Sequence, residues 1–492
     1  LGENWQDDYY IWDCAAGTGN LLTGLTNKYN IYASTLDQAD INVMHERIDH
    51  GANLLKNHVF QFDFLNDDFT KLPQSLQDII NDEEKRKKLI VYINPPYAEA
   101  PDRTFNKDGK VGVEQSYINK KYASILGQGN RELFAQFLIR INKEISGCIL
   151  AEFSKLKILQ GKHFSDFRLN FKAKLESIFI VPADTFDNVK GKFPIGFMIW
   201  NTSYNKSFKE VDADVYNKEG LFILQKKIIA YENDNFINEW IKPFRADKKN
   251  TDLIGKFPFM GNDFQQQNII QISHLNMVYN KAAGQFLINT NNLIITSTYF
   301  AVRKCIPATW INDRDQFLYP NEHWKTDFAF QNDCFTYTLF NNNIQSKFGV
   351  NHWIPFTELE VNAKEKFASN FMTNFINGKL KVEHKTENSL FENESKVGIY
   401  DNTPRQFSAE AKAVFDAGRE LWNYYHSQKE INVNASLYDI REYFQGRNDK
   451  GRMNARSTDE KYTELISELR KKLNVLADQI SPKIYEYEFL KE

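Results

Sequence analysis

The sequence contains no run of about 18 apolar residues, so no helical membrane span is expected. It does not open with the charged-then-apolar pattern of a secretory signal either. Cysteine is scarce: Cys14, Cys148, Cys305 and Cys334 are scattered, and no two stand in CxxC spacing. That excludes a disulfide scaffold and points to a reducing, cytoplasmic setting. The nine histidines show no HExxH or similar ligand spacing, so no metal site is expected. An excess of one charge is missing as well, the formal net charge being −3. This argues against coating nucleic acid by bulk positive charge but leaves room for a local basic cleft. No internal repeat or low-complexity tract is present.

Aromatic residues are abundant, at 14% of the chain, more than a plain core requires. The 492 residues exceed what one hydrophobic core usually serves, so two or three domains are expected. Residues 9–14 read as a buried strand leading into the turn Ala16-Gly17-Thr18-Gly19, with a helix expected from Asn20. Further strands are expected over 30–36, 58–62 and 88–93, the last apolar enough to be buried on both faces. Leu133, Phe134, Phe137, Leu138, Ile141 and Ile145 recur at helical spacing. Strands then follow over 147–153, 177–181 and 195–200. This alternation specifies a doubly wound α/β sheet. From about residue 206 the pattern shifts to short β-prone runs, such as 292–302 and 335–340, between Asn- and Gly-rich loops. From about 404 it turns helical, with 408–427 helical and a capping box at Ser457-Thr458-Asp459-Glu460. The expected domains are therefore 1–205, 206–403 and 404–492.

The chemistry-bearing residues sit at strand ends. Asp13-Cys14-Ala15-Ala16-Gly17-Thr18-Gly19-Asn20 lies between a strand and its helix, where glycines let backbone approach a ligand. Asp37 follows about twenty residues after Gly17, the separation at which an acid meets ribose hydroxyls. Asp63 is placed to accept from an adenine amino group, with the Phe64 ring packed on that base. Each alone is also the ordinary reading of a turn or a solvated strand end. The tetrapeptide Asn94-Pro95-Pro96-Tyr97 discriminates more strongly, because it ends a strand on the sheet edge that carries the glycine turn. An adenine amino nitrogen is a poor nucleophile, its lone pair being delocalised into the ring. The Asn94 side-chain oxygen and the Pro95 carbonyl can accept its two N–H groups and favour a pyramidal nitrogen. Pro95 and Pro96 stiffen the loop, so alignment rather than a strong base does the work. Tyr97 stacks on a base flipped out of the duplex, and Phe193 is the candidate for a second stacking aromatic.

These motifs resemble the N6-adenine DNA methyltransferases of the gamma motif order, especially the modification part of Type IIG-like restriction–modification enzymes. The resemblance covers residues 9 to 200: Asp13 to Asn20, Asp37, Asp63-Phe64, Asn94 to Tyr97, Asn130 to Phe137, and Phe193-Pro194. It implies a Rossmann-like methyltransferase sheet, a target-recognition domain of mixed α/β structure and a C-terminal helical region. It also implies S-adenosyl-L-methionine as cofactor, bound by Asp13, Ala15, Gly17, Thr18, Gly19, Asn20, Asp37, Asp63 and Phe64. Catalytic roles fall to Asn94, Pro95, Pro96 and Tyr97, and double-stranded DNA is the implied partner. Such enzymes carry a further cofactor-contacting segment before the first strand, and fused ones a nuclease domain upstream. Leu1 stands close before the first strand, so both are expected, if present, in a longer polypeptide. No PD…ExK nuclease pattern occurs within the chain.

Two cationic runs, 155–174 and 441–456, are candidates for phosphate contact, and Arg303, Lys304 and Arg314 for base reading. Two other functions remain open, namely an RNA adenine methyltransferase and a non-catalytic DNA-specificity subunit with a vestigial fold. Against methylation of a protein glutamine stands the long region beyond residue 200, which a small protein substrate does not need.

Overall fold

The computed structural model describes residues 2–97, 116–186, 189, 191–250, 252–278, 284–380 and 403–491. All candidate site residues lie within them; the stretch 381–402 of the expected middle domain does not.

Nine strands build one sheet: β1 Tyr10–Asp13, β2 Ile31–Thr35, β3 Val59–Gln61, β4 Leu89–Ile93, β5 Ile149–Lys155, β6 Lys174–Pro182, β7 Pro194–Asn201, β8 Glu210–Tyr216 and β9 Phe222–Ile229. Their order is β3-β2-β1-β4-β5-β7-β6-β8-β9. The first five are parallel, and β7 runs antiparallel to both β5 and β6. The central strands are largely buried and mostly apolar because both faces are covered. Helix Gln38–Asp49 packs Ile41 and Met44 against Ile11, Ile31 and Ala33 on one face. Helices Gln74–Asn81, Tyr117–Leu126 and Leu133–Glu144 pack with Trp12, Val91 and Leu150 on the other. The architecture is the doubly wound α/β sheet expected from the sequence. Winding reverses between β1 and β4, which makes their carboxyl ends the place where such sheets bind ligands.

The chain divides into two compact units, residues 1–233 with 310–314, and 234–309 with 315–492. Two expected boundaries move accordingly. Strands β8 and β9 extend the first sheet, which therefore does not end at 205. Residues beyond 404 do not stand apart: helices Ala409–His426 and Glu460–Glu486 share one hydrophobic core with helices Leu293–Cys305 and Phe328–Leu339. In this second unit β10 Gly255–Phe259 and β11 Gly284–Ile288 form a separate antiparallel pair.

The β-prone runs at 292–302 and 335–340 fall largely inside helices Leu293–Cys305 and Phe328–Leu339. Eleven of the thirteen residues of the former are buried, so it has no polar face to announce a helical period. Its hydroxyls bond back along the helix, Ser297 Oγ to the Leu293 carbonyl at 2.8 Å and Thr298 Oγ1 to that of Ile294 at 3.1 Å. Such bonds let residues of poor helix propensity stay in a buried helix. The helix expected from Asn20 shrinks to a single 3₁₀ turn, Asn20–Leu22, held between Gly19 and Gly24 at φ 80° and 90°. The capping box also moves. Asp459 alone caps the last helix, accepting from the Tyr462 amide at 2.8 Å, and the reciprocal box is Ser436 with Asp439.

Candidate functional site

The register of the parallel strands places the loops after β1, β2, β3 and β4 side by side on one rim. In spatial order the rim presents Asp63, Asp37, the Asp13–Asn20 turn and Asn94–Tyr97. At the spacing of adjacent strands they span roughly 14 Å. Antiparallel β7 starts at this rim and β6 ends there, Pro194 pairing with Pro182, which brings Phe193 to the same side as Tyr97.

Asp13 is buried, and its carboxylate accepts from the Ala15 amide at 3.0 Å, tightening the turn. Burial pushes its carboxyl up to about 7. Gly17 has φ 52°, and a side chain there would meet nothing, so the turn offers open backbone on its ligand side. Gly19, at φ 80°, lies against Met44, which a Cβ would approach to 3.2 Å. Arg47 holds the turn from behind, donating to the Thr18 carbonyl and to Asn20 Oδ1, both at 2.7 Å. Asn20 therefore supports the loop.

Asp37 is exposed at the end of β2 and caps helix Gln38–Asp49 through the Ala39 amide at 2.8 Å. Asp63 is half-buried and accepts from the Leu65 amide and Asn66 Nδ2 at 3.0 and 2.7 Å. Phe64 departs from its expected role. Its ring is 2% exposed, stacked on Phe137 at 4.9 Å and edge-on to Trp12 at 5.6 Å. It packs the core beneath the rim and does not present a face to a base.

In the tetrapeptide, Pro95 is buried and Pro96 exposed. Tyr97 donates its hydroxyl to Asn94 Oδ1 at 2.7 Å, and burial pushes that hydroxyl above its ordinary range. The amide oxygen expected to receive an amino group thus already holds one donor, and its second lone pair is left for another. Tyr97 and Phe193 pack on the same small cluster of Val181, Ala183 and Ile195.

Two supporting residues, Glu152 and Arg140, escaped the sequence reading, as did the contact made by Lys155 of the cationic run 155–174. Glu152 on β5, paired with Ile93 across the sheet, is fully buried. Its Oε1 accepts from Ser154 Oγ and Trp200 Nε1, both at 3.3 Å. Among the described residues its Oε2 has no partner, and burial pushes the carboxyl up to about 8. A lone acid inside the run Ile149-Leu150-Ala151-Glu152-Phe153 was the signal. Lys155 donates to the Tyr97 carbonyl at 3.3 Å. Arg140 donates to the carbonyls of Phe64 and Asp67, and its guanidinium lies 4.3 Å from the Phe69 ring centroid. It clamps the loop after β3 from inside an otherwise apolar helix repeat.

The cationic run 155–174 does not form one surface. Lys155 and Lys157 pair with Glu132 at the rim. Arg168 is buried and donates to the Ile158 and Gly161 carbonyls at 3.2 and 2.8 Å. Lys174 opens β6, at the end of the sheet away from the rim. Arg303, expected to read bases, is 0% exposed and held by backbone. Arg314 is buried beside Asp313 at 3.2 Å. Lys304 is the exception, as it lines a cavity described below.

No known family model matches the sequence, and no curated protein matches it. Solved structures do. The type IIG restriction endonuclease BpuSI is 19% identical over 42% of this chain and 24% of its own, with a TM-score of 0.30. A type I restriction–modification methyltransferase subunit from Streptococcus thermophilus is 19% identical over 47% of each chain, TM-score 0.30. A class I S-adenosylmethionine-dependent methyltransferase from Listeria monocytogenes is 16% identical over 42% of this chain and 58% of its own, TM-score 0.27. The chain spans about a quarter of the length of the type IIG and type ISP restriction enzymes it matches. At these identities the roles of individual residues come from the chain's own geometry.

Proposed function

We propose that the chain transfers a methyl group from S-adenosyl-L-methionine to the N6 amino group of an adenine flipped out of double-stranded DNA, within a restriction–modification system. The observation that carries this reading is the placement of Asn94–Tyr97 beside the Gly17 turn, on the rim where the winding of the sheet reverses. The residues there fit the cofactor: open backbone at Gly17, an exposed carboxylate at Asp37 for paired hydroxyls, and Asp63 for an exocyclic amine. When bound, the cofactor supplies an electrophilic methyl group on a sulfonium. The chain's own part is alignment. Asn94 Oδ1 and the Pro95 carbonyl accept the two amino hydrogens and turn the nitrogen lone pair toward the donor. Tyr97 and Phe193 replace the stacking that the base loses. Asn94 Oδ1 shares its lone pairs between the Tyr97 hydroxyl and the substrate, so entry of the base is coupled to the position of Tyr97.

The test is transfer of labelled methyl onto duplex DNA and onto RNA, by the parent and by Asn94→Ala. Label in duplex adenine is expected, with the variant slower by about a hundredfold or more. Label in RNA instead would reassign the substrate, and an unimpaired variant would remove the role given to Asn94.

A further inference from the structure

The second unit contains a polar cavity of about 510 Å³, within the range of small-ligand sites. Its wall includes two cations, Lys304 and Arg441, and the side-chain amides of Gln271, Asn341, Asn342 and Asn343; no acidic residue lines it. Lys304 lies in the last turn of helix Leu293–Cys305, and Arg441 lies mid-way along helix Leu437–Gln445.

Arg441 has no structural employment. Among the described residues its guanidinium has no ion-pair or hydrogen-bond partner, and its Nε is buried from solvent. The acids on its own helix are engaged elsewhere. Asp439 caps the helix at Ser436, and Glu442 pairs with Arg447. A partly buried guanidinium without a partner costs free energy that an anion would recover. Arg303, fully buried in the same unit, shows the contrast, with its Nη groups bonded to two carbonyls and a hydroxyl.

Helix Phe328–Leu339 ends at this wall, and terminal carbonyls repel an anion. They are covered. Asn341 Nδ2 donates to the Tyr337 carbonyl at 3.0 Å, and Asn342 Nδ2 to those of Thr338 and Leu339 at 3.3 and 2.8 Å. The cavity is thus left with cations and neutral amides, a set that takes a phosphodiester together with the hydrogen-bonding edge of an adjoining nucleotide.

We propose that this cavity holds a backbone phosphate of the DNA substrate, with Arg441 as its principal ligand and Lys304 as supporting charge. The proposal rests on the DNA reading above. It supplies the second unit with a defined contact point, and because a phosphate contact is independent of sequence, it can be tested before any recognition site is known.

The experiment is fluorescence anisotropy of a labelled mixed-sequence duplex, titrated with the full chain over a range of salt concentrations. The parent is compared with Arg441→Gln, Arg441→Lys and, as control, Arg452→Gln on an exposed loop. Arg441→Gln is expected to weaken binding about fivefold and to lower the salt slope by about one. Arg441→Lys is expected to keep most of the affinity, and Arg452→Gln to change it less than Arg441→Gln does. Melting temperatures, with and without inorganic phosphate or a mononucleotide, are recorded alongside. Equal affinity and slope for the parent and Arg441→Gln overturns the proposal. Stabilisation by free phosphate with duplex binding indifferent to Arg441 also overturns it, in favour of a small-anion site. Loss of affinity in Arg441→Lys equal to that in Arg441→Gln counts against it too, as a packing effect. If the parent methylates duplex adenine while Arg441 is silent, this inference falls alone. If the parent neither binds nor methylates duplex, the proposed function falls with it.

Discussion

Among the described residues, Arg303 in the second unit and Glu152 in the first are each completely buried charge-bearing side chains, and the two are treated in opposite ways. Arg303 in the second unit donates to the Gly261 carbonyl and Tyr299 hydroxyl at 2.9 and 3.1 Å and to the Asp263 carbonyl at 3.1 Å. The Phe317 ring covers its guanidinium at 4.8 Å, and Nε alone lacks a partner. Glu152 in the first unit has two long bonds to one oxygen and none to the other. A buried ion survives by collecting partners, whereas a buried acid short of partners survives by holding its proton. The first arrangement builds a core. The second leaves an adjustable group directly beneath the rim that carries Asn94 and Tyr97.

Removing Arg303 should do the most damage. Arg303→Leu removes the donor from three acceptors, of which the Tyr299 hydroxyl is fully buried and the Gly261 and Asp263 carbonyls are not, and it deletes a fully buried guanidinium, so a loss of about 3 kcal/mol is expected in urea unfolding followed by fluorescence. A loss below about 1 kcal/mol would show that the network is dispensable. Glu152 should act through pH. Its carboxyl sits at about 8 in the folded chain against an ordinary 4.5, so the folded chain holds more protons between these values. Stability should therefore fall as pH rises across that window and level off above it, by about 1 kcal/mol per pH unit. Glu152→Gln, which mimics the protonated acid, should flatten the slope of the urea midpoint against pH. It should not abolish it, because Asp13, held at about 7, contributes with the same sign. An unchanged slope would mean that Glu152 is solvated. The smallest effect is expected at the exposed end of β2. Asp37→Asn keeps a helix-capping side chain but removes the charge, and calorimetry should show cofactor binding weakened about tenfold with the melting temperature unchanged.

The first unit was legible because its signals are local and agree with one another. Strands β1, β2, β4 and β5 are mostly apolar runs buried by the sheet's two faces, and each of β1 and β4 stops at a residue pattern that cannot continue a ladder, Asp13–Gly17 or Asn94–Pro96. Phe64 was misread because an aromatic beside a strand end looks the same in sequence whether it faces ligand or core; only Phe137 and Trp12, distant along the chain, settle it. Glu152 and Arg140 were missed because their environment is made by other segments. In the second unit burial on all sides erased the periodicity that separates helix from strand, and Thr296, Thr298 and Val302 then biased the reading toward β. The cationic run 155–174 misled for a similar reason. Charge along the chain says nothing of direction, and residues 155–174 pass from one end of the sheet to the other.

One detour of the chain bears on how the protein can be dissected. After entering the second unit at residue 234, it returns for Trp310–Arg314 before leaving again. Trp310 and Ile311 pack on the core of the first unit, and the Ile311 carbonyl receives Lys226 of β9 at 2.8 Å. A truncation ending at residue 233 would strip this plug from the outermost strands and expose the apolar surface beneath it. Any exchange of the second unit would therefore have to leave the five-residue insert Trp310–Arg314 with the first unit, in addition to the cut at residue 233.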